Sequence, residues 1–80
     1  MTDSATSEKV AKVVCDVLKL DPARVADDLA MENVETWDSL KHMEMIGSLE
    51  EAFSIQLTFD EIVTMRSVGE IKRVLAARKL

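Results

Sequence analysis

Few residues in this chain have the chemistry to react, and their spacing narrows what they can do. Asp38-Ser39 sets a carboxylate beside a hydroxyl, directly ahead of an apolar-periodic stretch. Attack by a serine on an acyl group needs a base within hydrogen-bond reach and an acid orienting that base. The one histidine, His42, comes three residues later. On a helix turning about 100° per residue it falls roughly 60° from Ser39, on the apolar stripe. The chain has no tyrosine to substitute for it. The spacing therefore argues against a hydrolase, and no catalytic residue is expected. Cys15 lies at the edge of the first apolar stripe, which suits a small hydrophobe better than a nucleophile. A single cysteine also excludes an internal disulfide framework and any multi-cysteine zinc site. Asp27-Asp28 lacks the glycine and ligand spacing of a calcium loop, so no metal site is expected. What Asp38-Ser39 offers by itself is a helix N-cap.

Helices must position these residues. Val10, Val13, Val14, Val17 and Leu18 recur at i, i+3, i+4, i+7 and i+8. They predict a helix capped by Thr6 or Ser7 and ending near Leu20, with residues 1–6 as a flexible start. Asp21-Pro22 reads as a turn, with Pro at a tolerated first-turn position. From Ala23 to Trp37 no period is sustained, which predicts a loop of about fifteen residues. A second helix should run from the Asp38-Ser39 cap to Phe53. Met45, Ile46, Leu49, Ala52 and Phe53 form its core stripe, with His42 near the centre. Leu40, Glu44, Gly47 and Glu51 fall on the opposite side. Met43, Met45 and Met65 are expected to line the core with the aliphatic residues.

Residues 53–59 alternate strictly, with Phe53, Ile55, Leu57 and Phe59 on one side. No second strand is available to pair with them. They are therefore expected to form an extended connector that pins alternate side chains into a helical core. Asp60 is expected to cap a short helix through Met65. Ser67-Val68-Gly69-Glu70 fits a capping box and opens a last helix with Val68, Ile71, Val74 and Leu75 inward. The fold class is all-α. It is a small antiparallel four-helix bundle of three longer helices and one short third helix, with a long loop between helices 1 and 2. One domain should occupy residues 1–80.

The charge is unevenly distributed. The 80 residues hold 10 Lys+Arg and 15 Asp+Glu, a net charge of −5, which argues against a nucleic-acid partner. Residues 1–26 are neutral, residues 27–61 carry −9 with Lys41 as their one cation, and residues 62–80 carry +4. The acidic block reads either as a solvated surface or as a docking face for enzymes with basic patches. No apolar run approaches the ~20 residues of a membrane span, and the start MTDSATSEK is not a signal peptide. A cytoplasmic monomer is expected.

Glu35-Thr36-Trp37-Asp38-Ser39-Leu40, followed by a helix ending Leu49-Glu50-Glu51-Ala52-Phe53, resembles the acyl carrier protein / peptidyl carrier family. The resemblance extends to Asp28-Leu29 in the long loop, the short third helix after Phe59 and the Ser67-Val68-Gly69-Glu70-Ile71 opening of the last helix. It implies that Ser39 carries a covalent 4′-phosphopantetheine, added from coenzyme A by a phosphopantetheinyl transferase. Trp37, Asp38 and Leu40 complete the attachment motif. Leu40, Lys41, Glu44, Gly47 and Glu51 are the implied partner-recognition residues. The implied partners are an acyl- or aminoacyl-loading enzyme and downstream synthase, tailoring or transferase enzymes. The chain itself would catalyse nothing.

Within the family, fatty-acid carriers usually show a small pair such as Gly-Ala before Asp-Ser-Leu and an acidic residue just after it. Here Thr36-Trp37 precede and Lys41-His42 follow. Gly47 stands where those carriers tend to show an exposed hydrophobe. The Trp-Asp-Ser-Leu form looks more like specialised carriers of acyl, aminoacyl or polyketide intermediates. A D-alanyl carrier and a primary fatty-acid carrier remain alternatives. From a different class, so does a small helical interaction module in which Asp38-Ser39 is only a cap.

Overall fold

The computed structural model describes residues 4–78. Four helices follow one another: α1 (Ser4–Leu18), α2 (Ser39–Phe53), α3 (Phe59–Thr64) and α4 (Val68–Ala77). Among the described residues there is no strand, only an isolated bridge between Ala30 and Ser67. α1 packs on both α2 and α4, and α3 contacts α4, in a body of 30 × 25 × 19 Å. The arrangement is the small helical bundle that the apolar periods predict.

On α1 the valine stripe is buried as expected: Val10, Val14 and Leu18 are sealed, and Val13 and Val17 flank them. Each such side chain contributes about 1.5–3 kcal/mol relative to exposure. The helix starts earlier than Thr6 or Ser7, since residues 4–6 are already helical and Thr6 is buried. Residues 1–3, the remainder of the segment expected to be flexible, lie outside the described residues. Lys19 ends α1 in the left-handed region, and the Leu20 N–H returns to the Cys15 carbonyl at 3.2 Å. Ser54 ends α2 in the same way, with Ile55 N–H on Glu50 O at 3.1 Å. Both are Schellman-type stops built without glycine.

The loop between α1 and α2 is ordered rather than loose. One-turn 3₁₀ helices form at Pro22–Arg24 and Met31–Asn33, the first capped by Asp21 on Ala23 N–H at 2.9 Å. Residues 27–31 are then stitched to the start of α4. Gly69 N–H donates to Asp27 O at 2.8 Å, Val68 N–H to Leu29 O at 2.9 Å, and Met31 N–H to Arg66 O at 2.8 Å. A Cβ on Gly69 would sit 3.0 Å from the Asp27 carbonyl oxygen, so the absence of a side chain is what permits this approach.

Several local expectations need correction. Thr58, not Asp60, caps α3. Its Oγ1 accepts the Glu61 N–H at 3.2 Å, and the Glu61 carboxylate accepts the Thr58 N–H at 2.9 Å. Because the connector stops at that cap, the alternation ends before Phe59, which is exposed instead of inward. Leu57 is buried, while Phe53 and Ile55 pack partly against the core. The expected box at Ser67 is only half formed. Ser67 Oγ accepts the Glu70 N–H at 3.1 Å, but the Glu70 carboxylate turns to Arg73 at 3.0 and 3.1 Å. Met43 and Ala52 are exposed rather than in the core, whereas Met45 and Met65 are sealed. Val74 is half-buried beside the sealed Val68, Ile71 and Leu75.

Candidate functional site

The start of α2 stands on an anchored pedestal. Thr36 Oγ1 donates to the Leu18 carbonyl at 3.2 Å, tying the end of the loop to the end of α1. Trp37 is sealed in the core, and its indole N–H donates to His42 Nδ1 at 3.1 Å. An indole N–H is donor only, so Nδ1 is the acceptor and the proton resides on Nε2. That nitrogen donates to the Ile62 carbonyl at 2.8 Å. The two rings also stack, with centroids 6.1 Å apart. One histidine therefore ties the loop, α2 and α3 together, which explains why a polar ring occupies the apolar stripe.

Both nitrogens of His42 are engaged away from the serine, so Ser39 has no imidazole base. Asp38 accepts the Lys41 N–H at 2.9 Å, as a cap does. Ser39 comes next as the first helical residue and is exposed. The N–H groups of Ser39 and Leu40 precede any intrahelical acceptor. Cys15 is half-buried. Burial, and then the carboxylates of Asp16 and Asp21, push its thiol above the usual range, which makes it a poor nucleophile. Among the described residues no group of side chains could hold a metal ion, and no helix is long and apolar enough to cross a membrane.

Beside Ser39 a cleft of about 270 Å³ separates α2 from α3. Met31, Met43, Phe59, Ile62 and Val63 give it apolar walls, with His42 and Arg66 completing the lining. Leu40 is 71% exposed and Phe59 76%, and Met43 and Val63 are also largely open. The serine is thus surrounded by uncovered apolar side chains. The α2 pattern places Leu40 there, but it does not single out Met43, Phe59 or Val63. Met43 lies one turn after Ser39, so a helical wheel centred on the serine finds it.

The other expected recognition residues lie on the exposed side of α2. Glu44, Gly47 and Glu51 face solvent, and nothing lies within 4 Å of a Cβ built on Gly47. Lys41 is half-buried and pairs with Glu44 at 3.1 Å. Glu50, adjacent to Glu51, acts within the fold, where its carboxylate accepts the Leu57 N–H at 2.9 Å and holds the connector.

Comparison with known proteins gives this geometry a family. Over 71 residues the chain is 31% identical to an acyl carrier protein of Thermosynechococcus vestitus, covering 89% of this chain and 88% of that one. It is 28% identical over 79 residues to an acyl carrier protein of Prochlorococcus marinus, covering 99% of each. A candidate acyl carrier protein from Mycobacterium tuberculosis, of known structure, has the same fold. Its TM-score is 0.80 at 22% identity, over 90% of this chain and 96% of that one. Members of this family act with a phosphopantetheinyl transferase and acyl-handling enzymes, and the carriers themselves are not catalysts. Since the family model for the phosphopantetheine attachment site matches residues 8–75, the chain belongs to the acyl and peptidyl carrier family, whose members bear a covalent 4′-phosphopantetheine.

Proposed function

We propose that Ser39 is the attachment residue, and that the chain presents acyl, aminoacyl or polyketide cargo to the enzymes of a specialised pathway. The observation that carries the reading is an exposed hydroxyl on the first residue of α2, held by the Trp37–His42–Ile62 clasp. The residues there fit a phosphodiester. The free N–H groups of Ser39 and Leu40 and the positive end of the α2 dipole favour an anion at that point. Asp38 keeps the helix start in place by capping it.

When bound, 4′-phosphopantetheine supplies a thiol that holds the cargo as a thioester. The protein's own contribution is positional. A rigid pedestal fixes where the arm begins, and tethering raises the cargo's effective concentration at each partner's active site. Leu40, Lys41, Glu44, Gly47 and Glu51 form the recognition face beside that point.

Two features support a dedicated pathway over primary fatty-acid synthesis. The motif is Trp37-Asp38-Ser39-Leu40, and Trp37 is a structural anchor rather than a small residue. Lys41, paired with Glu44, cancels negative charge at the first turns of α2. Incubation with coenzyme A and a promiscuous transferase, read by intact mass, tests the attachment. One pantetheine gain in the wild type and none in Ser39→Ala is expected. A gain that survives Ser39→Ala refutes the assignment, and no gain at all favours a plain helical interaction module. Turnover assays with loading enzymes of fatty-acid, D-alanyl and polyketide type separate the pathways.

A further inference from the structure

Five described cations lie beyond residue 40: Lys41, Arg66, Lys72, Arg73 and Arg78. Four have a carboxylate close by: Lys41 pairs with Glu44, Lys72 with Asp27, Arg73 with Glu70 and Arg78 with Glu61. Among the described residues Arg66 has none within 4 Å, although the chain is acidic overall. Its backbone is fixed from both sides, with Arg66 N–H on Thr64 O at 2.8 Å and Arg66 O receiving Met31 N–H at 2.8 Å. Its side chain is exposed and lines the same cleft as Ser39.

We propose that Arg66 is the cation that holds the phosphodiester of the arm at Ser39, drawing the arm to the α3 side of the cleft. The proposal rests on attachment at Ser39. A phosphodiester is a monoanion at physiological pH, and guanidinium presents a planar pair of donors that matches two phosphate oxygens. Met43, Phe59 and Val63 line the same cleft without offering a carboxylate that would compete for the guanidinium. The contact gives the arm a preferred exit direction, where the N–H groups of α2 alone would favour the anion without orienting the rest of the arm.

The test uses the full ¹⁵N-labelled chain loaded with an unacylated arm, so that no cargo carboxylate is present. Loading is verified by mass, with Ser39→Ala as the blank. Of the four arginine Nε–H resonances, that of Arg66 should shift most between the unloaded and loaded protein, and those of Arg24, Arg73 and Arg78 little. The ³¹P resonance of the loaded wild type should differ from that of Arg66→Gln at low salt and approach it as salt screens the pair. Arg73→Gln should leave the ³¹P resonance in place, and Arg66→Lys should restore part of the difference. Loading at Ser39 with identical ³¹P resonances in wild type and Arg66→Gln, and an unmoved Arg66 Nε–H, overturns the role of Arg66 alone. Failure to load at Ser39 overturns the attachment and the Arg66 contact with it.

Discussion

The seam between the loop and α4 and the start of α2 treat their polar groups in opposite ways. In the seam, backbone donors and acceptors of residues 27–31 and 66–69 meet one another, and Lys72 reaches the Asp27 carboxylate at 2.7 Å. At the start of α2, Ser39, Leu40 and Met43 are open to solvent, and further along the helix, in its last turn, Glu51 has no cation within 4 Å among the described residues. The first region is satisfied by its own chain, and the second leaves its side chains exposed, which suits the proposed recognition role. Substitutions in the seam should therefore alter stability and leave recognition unchanged. Substitutions of the exposed α2 side chains Leu40, Glu44 and Glu51 should do the reverse.

Trp37 anchors the start of α2 through His42, and its loss should have the largest effect. Truncating a sealed Trp to Ala costs about 3–5 kcal/mol and also strips His42 Nδ1 of its donor. Trp37→Phe retains most of the packing and isolates the unpaired nitrogen, at about 1–3 kcal/mol. Urea unfolding measures both. Equal losses in the two variants would show that the hydrogen bond, and not the ring volume, anchors the pedestal.

Next comes Gly69→Ala, which forces a Cβ against the Asp27 carbonyl at 3.0 Å. Overpacking of this kind costs about 1–3 kcal/mol. Pantetheine loading should proceed at the wild-type rate in the folded fraction. Slower loading there would mean that the seam also shapes the serine's surroundings.

These two positions also mark what the sequence makes legible. The apolar periods of α1, α2 and α4 identify the helices, and Asp38-Ser39 announces the N-terminus of α2. The Thr58-x-x-Glu61 box is equally present in the chain, but the alternation of residues 53–59 masks it. Helix ends are harder to read, because Lys19 and Ser54 take left-handed conformations usually given to glycine. Gly69 reads as part of a cap. Only the folded chain shows that it faces Asp27 across more than 40 intervening positions. The cleft beside Ser39 depends in the same way on where α3 lands, and no local pattern specifies that. The helical period puts His42 on the core stripe, where it is found, but its partners Trp37 and Ile62 are tertiary facts.

A smaller, pH-dependent effect lies outside both regions, between α3 and the end of α4. Arg78 donates to both carboxylate oxygens of Glu61, with Nε at 2.9 Å from Oε2, and also reaches the Gln56 carbonyl. That guanidinium, followed by the Thr58 N–H, lowers the Glu61 carboxyl from the usual 4.5 to about 2, against a small opposing effect of burial. The folded state therefore binds this proton less readily than the unfolded state. The stabilisation is complete above about pH 4.5 and fades as the pH falls toward about 2. Glu61→Gln should lower stability at pH 7 and flatten its decline across that window, measured by urea midpoints at several pH values. An unchanged slope would assign the acid sensitivity to other carboxylates.

On the α2 side, Glu44→Lys, Glu51→Lys and Leu40→Ala should each leave stability within about 0.5 kcal/mol of wild type. Partner turnover should fall by up to about tenfold, with the charge reversals losing more at low salt than at high salt. Unfolding of any of these variants would place the residue in the first category and erase the contrast.

The finest test is Gly47→Ala. Nothing lies within 4 Å of the added methyl, and alanine in an exposed helix is favoured over glycine by about 1 kcal/mol, so the variant should be more stable than wild type. If a partner packs on the bare backbone at Gly47, turnover will fall even as the denaturation midpoint rises. That opposition of signs would distinguish a glycine serving recognition from one that is merely tolerated, because a tolerated glycine can only gain from replacement. Unchanged turnover in a stabilised variant would remove Gly47 from the proposed recognition face and confine that proposal to Leu40, Lys41, Glu44 and Glu51.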